Sequence, residues 1–225
     1  MNDVTLAKRS EWWLILAVGC LWGLTESAGR MVLHAVGVTH HNGSMLAGFA
    51  VLFFAAATAL SPRWRTFVVL PVIAAAFKVY IAGLQDQPIF CRGMASNVVY
   101  AYFSEALVFG SVVYLAKSSH RASWLGGGVL GAASALIAAN AFILAPVVTA
   151  QSACLVPGTG FPSSIAGLPY SMAIAALAAP LGFRAGGKVL QWIGARPERR
   201  PMAGWPVGAS VATACILTVT LIYVL

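Results

Sequence analysis

Residues 12–38 read WWLILAVGCLWGLTESAGRMVLHAVGV. The run is longer than the roughly 20 apolar residues that carry a helix across a hydrocarbon core of ~30 Å. Lys8 and Arg9 precede it and Trp12-Trp13 opens it, the order of a basic flank followed by an interfacial aromatic anchor. Lys8, Arg9 and Trp12–Val18 also have the outline of a signal peptide, and Ala17-Val18-Gly19-Cys20 that of a lipoprotein cleavage box. The apolar character continues past Cys20 to about Val38, however, and Ala17 suits that box poorly, so the segment reads as a retained first span.

Six further runs follow: Ser44–Leu60, Thr66–Leu84, Ser96–Lys117, Trp124–Val148, Ser163–Phe183 and Trp205–Leu225. The whole composition agrees with them. Of 225 residues, 60% are hydrophobic and 9% charged, with only six acids; a soluble domain carries roughly a quarter charged residues. Mean hydropathy is +0.83, which also excludes a disordered chain. The expectation is an all-α fold, a polytopic integral membrane helix bundle of about seven transmembrane helices, with residues 1–225 forming one membrane domain. Asn42-Gly43 and Ser61-Pro62 mark the ends of the second span as turns. Arg184–Gly204, basic and Pro-containing, reads as the one long loop of distinct composition.

Charge placement gives the orientation. With the N-terminus inside, the cytoplasmic segments hold Lys8, Arg9, Arg63, Arg65, Lys117, Arg121, Arg184, Lys188, Arg196, Arg199 and Arg200, while the external loops hold only Arg92. That asymmetry predicts N-terminus in and C-terminus out, in the cell (inner) membrane. It also explains the net charge of +8 and the pI of 9.7 without a nucleic-acid partner. No aromatic–basic interleaving of the kind that holds single strands is present.

Four formally charged residues fall inside spans: Glu26, Arg30, Lys78 and Glu105. Two are acids and two are bases. Each would cost at least ~3 kcal/mol alone at the bilayer centre. Trp22, Glu26, Arg30 and His34 recur every four residues, on one helical face. At ~1.5 Å per residue, Glu26 lies about 21 Å beyond Trp12, Lys78 about 18 Å into the third span, and Glu105 about 14 Å into the fourth. These depths are mutually reachable. Asn97 shares the face of Glu105, with Tyr102 close to it, and Asn140 adds an amide to the fifth span. The set Glu26, Arg30, His34, Lys78, Asn97 and Glu105 is therefore the candidate substrate site, opening to the outside. Its bases would hold an anionic group; its acids would accept hydrogen bonds, bind a cation or carry a proton. The competing reading pairs Glu26 with Arg30 and Lys78 with Glu105 purely to hold helices together.

Other side chains carry weaker signals. His34, His40 and His41 could ligate a metal with Asp86 or Cys91, although His34-x5-His40-His41 matches no strong ligand spacing. Cys91 and Cys154, in two external loops, are a disulfide candidate in an oxidising compartment, while Cys20 and Cys215 lie within spans as packing residues. No CxxC, Walker loop or GxGxxG opening a helix occurs, and the sequence names no cofactor. Glu26-x3-Arg30 matches half of the intramembrane CAAX-type protease motif, but Thr25 replaces the first Glu and no Phe-x3-His follows. Gly19, Gly23 and Ser27 form a small-residue stripe on the first span; Gly127, Gly131, Ala135 and Ala139 form another on the fifth. Such stripes let helices approach closely, inside the chain or against a partner membrane subunit.

In size, in its compact hydrophobic bundle, in the first-span stripe Gly19, Gly23, Ser27 and in an externally placed polar pocket, the chain resembles the substrate-binding membrane subunits of energy-coupling-factor importers. The resemblance implies that the stripe docks a transmembrane coupling protein and that a vitamin or metal ion binds near the external face. Three function classes stand open: a solute-binding or transport subunit, a membrane-embedded enzyme or redox or metal-handling protein, and a structural or assembly subunit.

Overall fold

The computed structural model describes residues 3–38, 42–85, 94–116, 118–149, 161–194 and 200–224. All secondary structure among them is helical: α1 (Asp3–Ala35), α2 (Asn42–Leu60), α3 (Thr66–Leu84), α4 (Met94–Leu115), the short α5 (Ser118–Ala122), α6 (Trp124–Thr149), α7 (Phe161–Gly194) and α8 (Arg200–Val224). Hydrocarbon cannot hydrogen-bond the backbone, so a spanning segment must satisfy its own amides, and a helix does so along its length. Large apolar side chains point outward from the bundle: Val32 on α1, Leu107 on α4, Val129 on α6, Leu177 on α7 and Leu217 on α8 are all exposed. In water these would be a liability; against lipid they are the expected surface. The chain is a multi-pass membrane protein.

Six helices are long and apolar enough to cross a membrane, those spanning 42–60, 66–84, 98–115, 124–141, 166–192 and 206–223. The helix of the first run, α1, carries Glu26 and Arg30 within its apolar part and falls outside that set. Other sequence expectations change at their edges. The first helix begins before Trp12 and stops at Ala35, not Val38, because Gly37 takes φ 81° and closes a Schellman cap. Gly37 N–H donates to His34 O at 3.0 Å and Val38 N–H to Leu33 O at 2.8 Å. The expected Arg184–Gly204 loop is helical through Gly194, since α7 continues past Phe183, and is helical again from Arg200. At the start of α6, Ser123 Oγ accepts the Gly126 N–H at 2.9 Å, an N-cap.

Contacts between helices close a circuit: α1 on α3, α3 on α4, α4 on α6, α6 on α7, α7 on α2 and α2 on α1, with α8 laid along the outside of α1. The registers give the directions. Gly19 faces Ile73 and Gly23 faces Phe77, so α1 and α3 run parallel. Gly208 meets Trp13, and the Tyr223 hydroxyl donates to Ser27 O at 3.2 Å, so α8 is parallel to both. Gly110 faces Phe67 near the opposite end of α4, and Gly127 and Gly131 face Pro180 and Ala175 in reverse order. Those pairs are antiparallel. Arg63 meets Glu11 at 3.4 Å, Gly186 meets Ala56 and Ala59, and Arg184 stacks 4.3 Å above the Trp124 ring. The basic residues Arg63, Arg65, Arg121, Arg184 and Lys188 therefore collect at one end of the bundle, called here the basic end; the other is the outer end.

Aromatic rings fill the middle. Trp22 lies 4.8 Å from Phe54 and 4.7 Å from Tyr102, and Phe109 stacks between Phe54 at 5.7 Å and Phe183 at 6.2 Å. Small residues set how closely the surrounding helices approach. A Cβ at Gly131 would strike Ala175 O, and one at Gly182 would strike Leu52 O; Gly187, on the same helix as Gly182, faces open space. Gly131→Ala and Gly182→Ala should each destabilise the bundle by about 1–3 kcal/mol. Gly187→Ala should leave it unchanged or slightly firmer. Thermal unfolding in detergent, followed by loss of monodispersity, distinguishes these outcomes.

Candidate functional site

The α1 face that repeats every fourth residue turns inward at Trp22 and Glu26. Trp22 is fully buried, and its indole N–H donates to Glu26 Oε1 at 3.3 Å. Glu26 is 6% exposed, a carboxylate set in the aromatic core. Lys78 from α3 and Arg30, one turn along α1, both act on it by charge. Tyr102 from α4 is 2% exposed, and its hydroxyl lies close to the Glu26 carboxylate without reaching hydrogen-bond geometry. Glu105, three residues further along α4, completes the group; the charge that reaches it is that of Glu26.

All four intramembrane charges thus converge from three helices, as the depth arithmetic expects. Their pairing differs from the helix-holding scheme. Lys78 is coupled to Glu26, not to Glu105, because α3 runs parallel to α1 with Phe77 seated on Gly23, which brings the next residue to the level of the α1 acid. Two polar atoms of the group are left over. Among the described residues, Tyr102 Oη and Glu105 Oε2 are buried and have no hydrogen-bond partner. Helix clamps satisfy their polar atoms; a buried carboxylate oxygen without a donor costs about 1–3 kcal/mol or more.

Trp22 and Tyr102 contribute more than their sequence positions announced. Both are neighbours of charges at helical spacing, Trp22 four before Glu26 and Tyr102 three before Glu105, and that spacing was the available signal. Tyr223 was not foreseen: α8 brings it to Ser27 O and within the field of Arg30. The nearby Tyr80 hydroxyl bonds Thr220 Oγ1 at 2.9 Å, fixing α8 on α3.

Other candidates fall elsewhere. His34 is exposed in the last turn of α1. Asn140 is exposed and gives its amide to Leu136 O of its own helix at 2.7 Å. The side chain of Asn97, and His40, His41, Asp86, Cys91 and Cys154, lie outside the described residues, and with them the expected disulfide and the histidine metal set. Among the described residues no group of three or more His, Cys, Asp or Glu is placed to hold a metal ion. Cys20 and Cys215 are buried free thiols in the α1–α8 contact, as packing residues. The stripe Gly19, Gly23, Ser27 is occupied by Ile73 and Phe77 of α3 and by Tyr223 of α8; Gly127 and Gly131 are occupied by α7. Both stripes join helices of this chain.

No protein-family model, curated protein or solved structure matches the chain.

The indole bond can be isolated from the indole's bulk. Trp22→Phe keeps a ring in the core and removes the donor to Glu26, and should cost about 1–3 kcal/mol. Trp22→Ala should cost about 3–5 kcal/mol through the cavity it opens. Removing the partly exposed Arg63–Glu11 pair should cost no more than about 1 kcal/mol. The three variants, ranked by midpoint in detergent unfolding, check the order.

Proposed function

We propose that the chain is a solute-binding or transport subunit of the cell (inner) membrane, with Glu26, Arg30, Lys78 and Glu105 as the charged groups of its site. One observation carries the reading. Lys78 and Arg30 act on Glu26, and Glu26 acts on Glu105, yet Tyr102 Oη and Glu105 Oε2 remain buried and unpartnered among the described residues. A group that existed to clamp helices would leave no carboxylate oxygen unmet, whereas a binding site leaves groups for its ligand. A solute with an anionic group meets Arg30 and Lys78; donors on the same solute meet Glu105 and Tyr102. In this reading the site opens toward the outer end of the bundle, and access is from outside.

The topology belongs to the same proposal. The parallel course of α1 beside α3, at matched level from Gly19–Ile73 to Gly23–Phe77, supports a seventh crossing by α1. Clustering of Arg63, Arg65, Arg121, Arg184 and Lys188 supports a cytoplasmic basic end. The N-terminus is then inside and the C-terminus outside. In a background without native cysteines, Val36→Cys should react with an impermeant maleimide on right-side-out vesicles. Ser119→Cys should react only after permeabilisation. The reverse pattern overturns the orientation.

Solute binding has its own test. Mass spectrometry of small molecules copurifying in mild detergent should find one enriched species. Glu26→Gln and Lys78→Met should lose that species while remaining folded and monodisperse. Loss of folded protein in both variants, with no copurifying species in the native chain, would mark the charges as helix clamps.

A further inference from the structure

We infer that Glu105 is a proton-binding residue, loaded from Glu26 through Tyr102. The inference deepens the site reading above and rests on it. Three observations carry it. Glu105 Oε2 is buried and, among the described residues, no donor reaches it. The Tyr102 hydroxyl, one turn earlier on the same helix, is buried and equally unpartnered. That hydroxyl feels both carboxylates, Glu26 from α1 and Glu105 from its own helix. Protein interiors leave few polar atoms unpaired, and the exceptions concentrate where something is bound or passed on.

The packing selects the ligand. Trp22, Phe54 and Tyr102 are buried ring against ring around Glu26. A proton passes through such packing without displacing a side chain, so it reaches Glu105 before any solute is bound. The two acids are also not equivalent. Lys78 and Arg30 act on Glu26, while the charge acting on Glu105 is that of Glu26, of the same sign. Of the ionisable groups on neighbouring elements, Glu26 of α1 is the one that acts on Glu105; Lys78 of α3 and Arg30 of α1 act on Glu26, α2 and α6 carry none, and Tyr223 of α8 sits beyond, at Arg30.

The step is a proton transfer with no change of oxidation state. The Glu26 carboxyl gives its proton to the Tyr102 oxygen as the Tyr102 O–H proton passes to Glu105 Oε2. Tyr102 ends neutral as it began, Glu26 ends as a carboxylate facing Lys78 and Arg30, and Glu105 ends as a carboxylic acid. The transfer requires the Tyr102 hydroxyl to move into hydrogen-bond range of both acids at once.

Infrared difference spectroscopy of the purified full chain, titrated with acid and no solute present, reads the proton directly. A carboxylic-acid band that shifts in heavy water should appear, should vanish in Glu105→Gln and should move without vanishing in Glu105→Asp. Tyr102→Phe keeps the ring and should slow hydrogen–deuterium exchange of that band about tenfold, the effect of losing one hydrogen-bond relay. A band that survives unchanged in folded Glu105→Gln, or an exchange rate unaltered in Tyr102→Phe, overturns the inference. If Glu105→Gln does not fold, the Tyr102→Phe rate decides alone. A chain that shows the band but copurifies no solute fails the transport reading only; one that binds solute and shows no band fails this inference only.

Discussion

A carboxylate removed from water must find its compensation inside the protein, and in this bundle that carboxylate is Glu26. Its neighbours come from every direction: the Trp22 indole from one turn below, Arg30 from one turn above, Lys78 from α3 and Tyr102 from α4. Each of these constrains the helix that carries it. Lys78 holds the level of α3 against α1, a level that Phe77 on Gly23 and Ile73 on Gly19 then fix by contact. Tyr102 holds α4 at the height where Phe109 can stack between Phe54 and Phe183. The aromatic core and the charged cluster are thus two layers of one arrangement, with Trp22 belonging to both.

Beneath that layer the bundle depends on absence of side chains. Lipid supplies no hydrophobic force to press helices together, so contact depends on van der Waals fit and close approach. Gly182 and Gly186 bring α7 onto the α2 backbone at Leu52 and Ala56, and Gly131 brings α6 onto α7 at Ala175. The same economy explains where the first-span stripe went. Gly19 and Gly23 face α3, and Ser27 receives Tyr223 of α8, so a partner subunit approaching that stripe would meet α3 and α8 first.

Much of this was legible in sequence, for reasons that can be named. Apolar run length gave the helices because the bilayer imposes a length, and Thr66–Leu84 was read to the residue. Mid-span charges gave the cluster because each is costly alone and depth follows from a fixed rise per residue. What was not legible depends on which helices touch. The partner of Lys78 follows from the parallel α1–α3 register, which no local pattern encodes. The end of α1 at Ala35 turns on one left-handed glycine, Gly37, in a run that otherwise continues apolar. The extension of α7 past Phe183 was hidden by Arg184 and Lys188, residues that end a span in hydrocarbon terms without ending a helix.

The parallel course of α1, α3 and α8 has one more consequence. Peptide dipoles add along a helix and leave a partial negative charge at its C-terminus. Three adjacent helices end together at the outer end, near Ala35, Leu84 and Val224. That sector of the rim is electronegative from its backbone alone, while α2, α4 and α7 begin at the same end, with the C-terminus of α6 set between α4 and α7, and leave the opposite sector less negative. The mouth above Glu26 is therefore polarised sideways, across the membrane plane, before any side chain is counted. A dipolar molecule arriving there would be turned before it is bound.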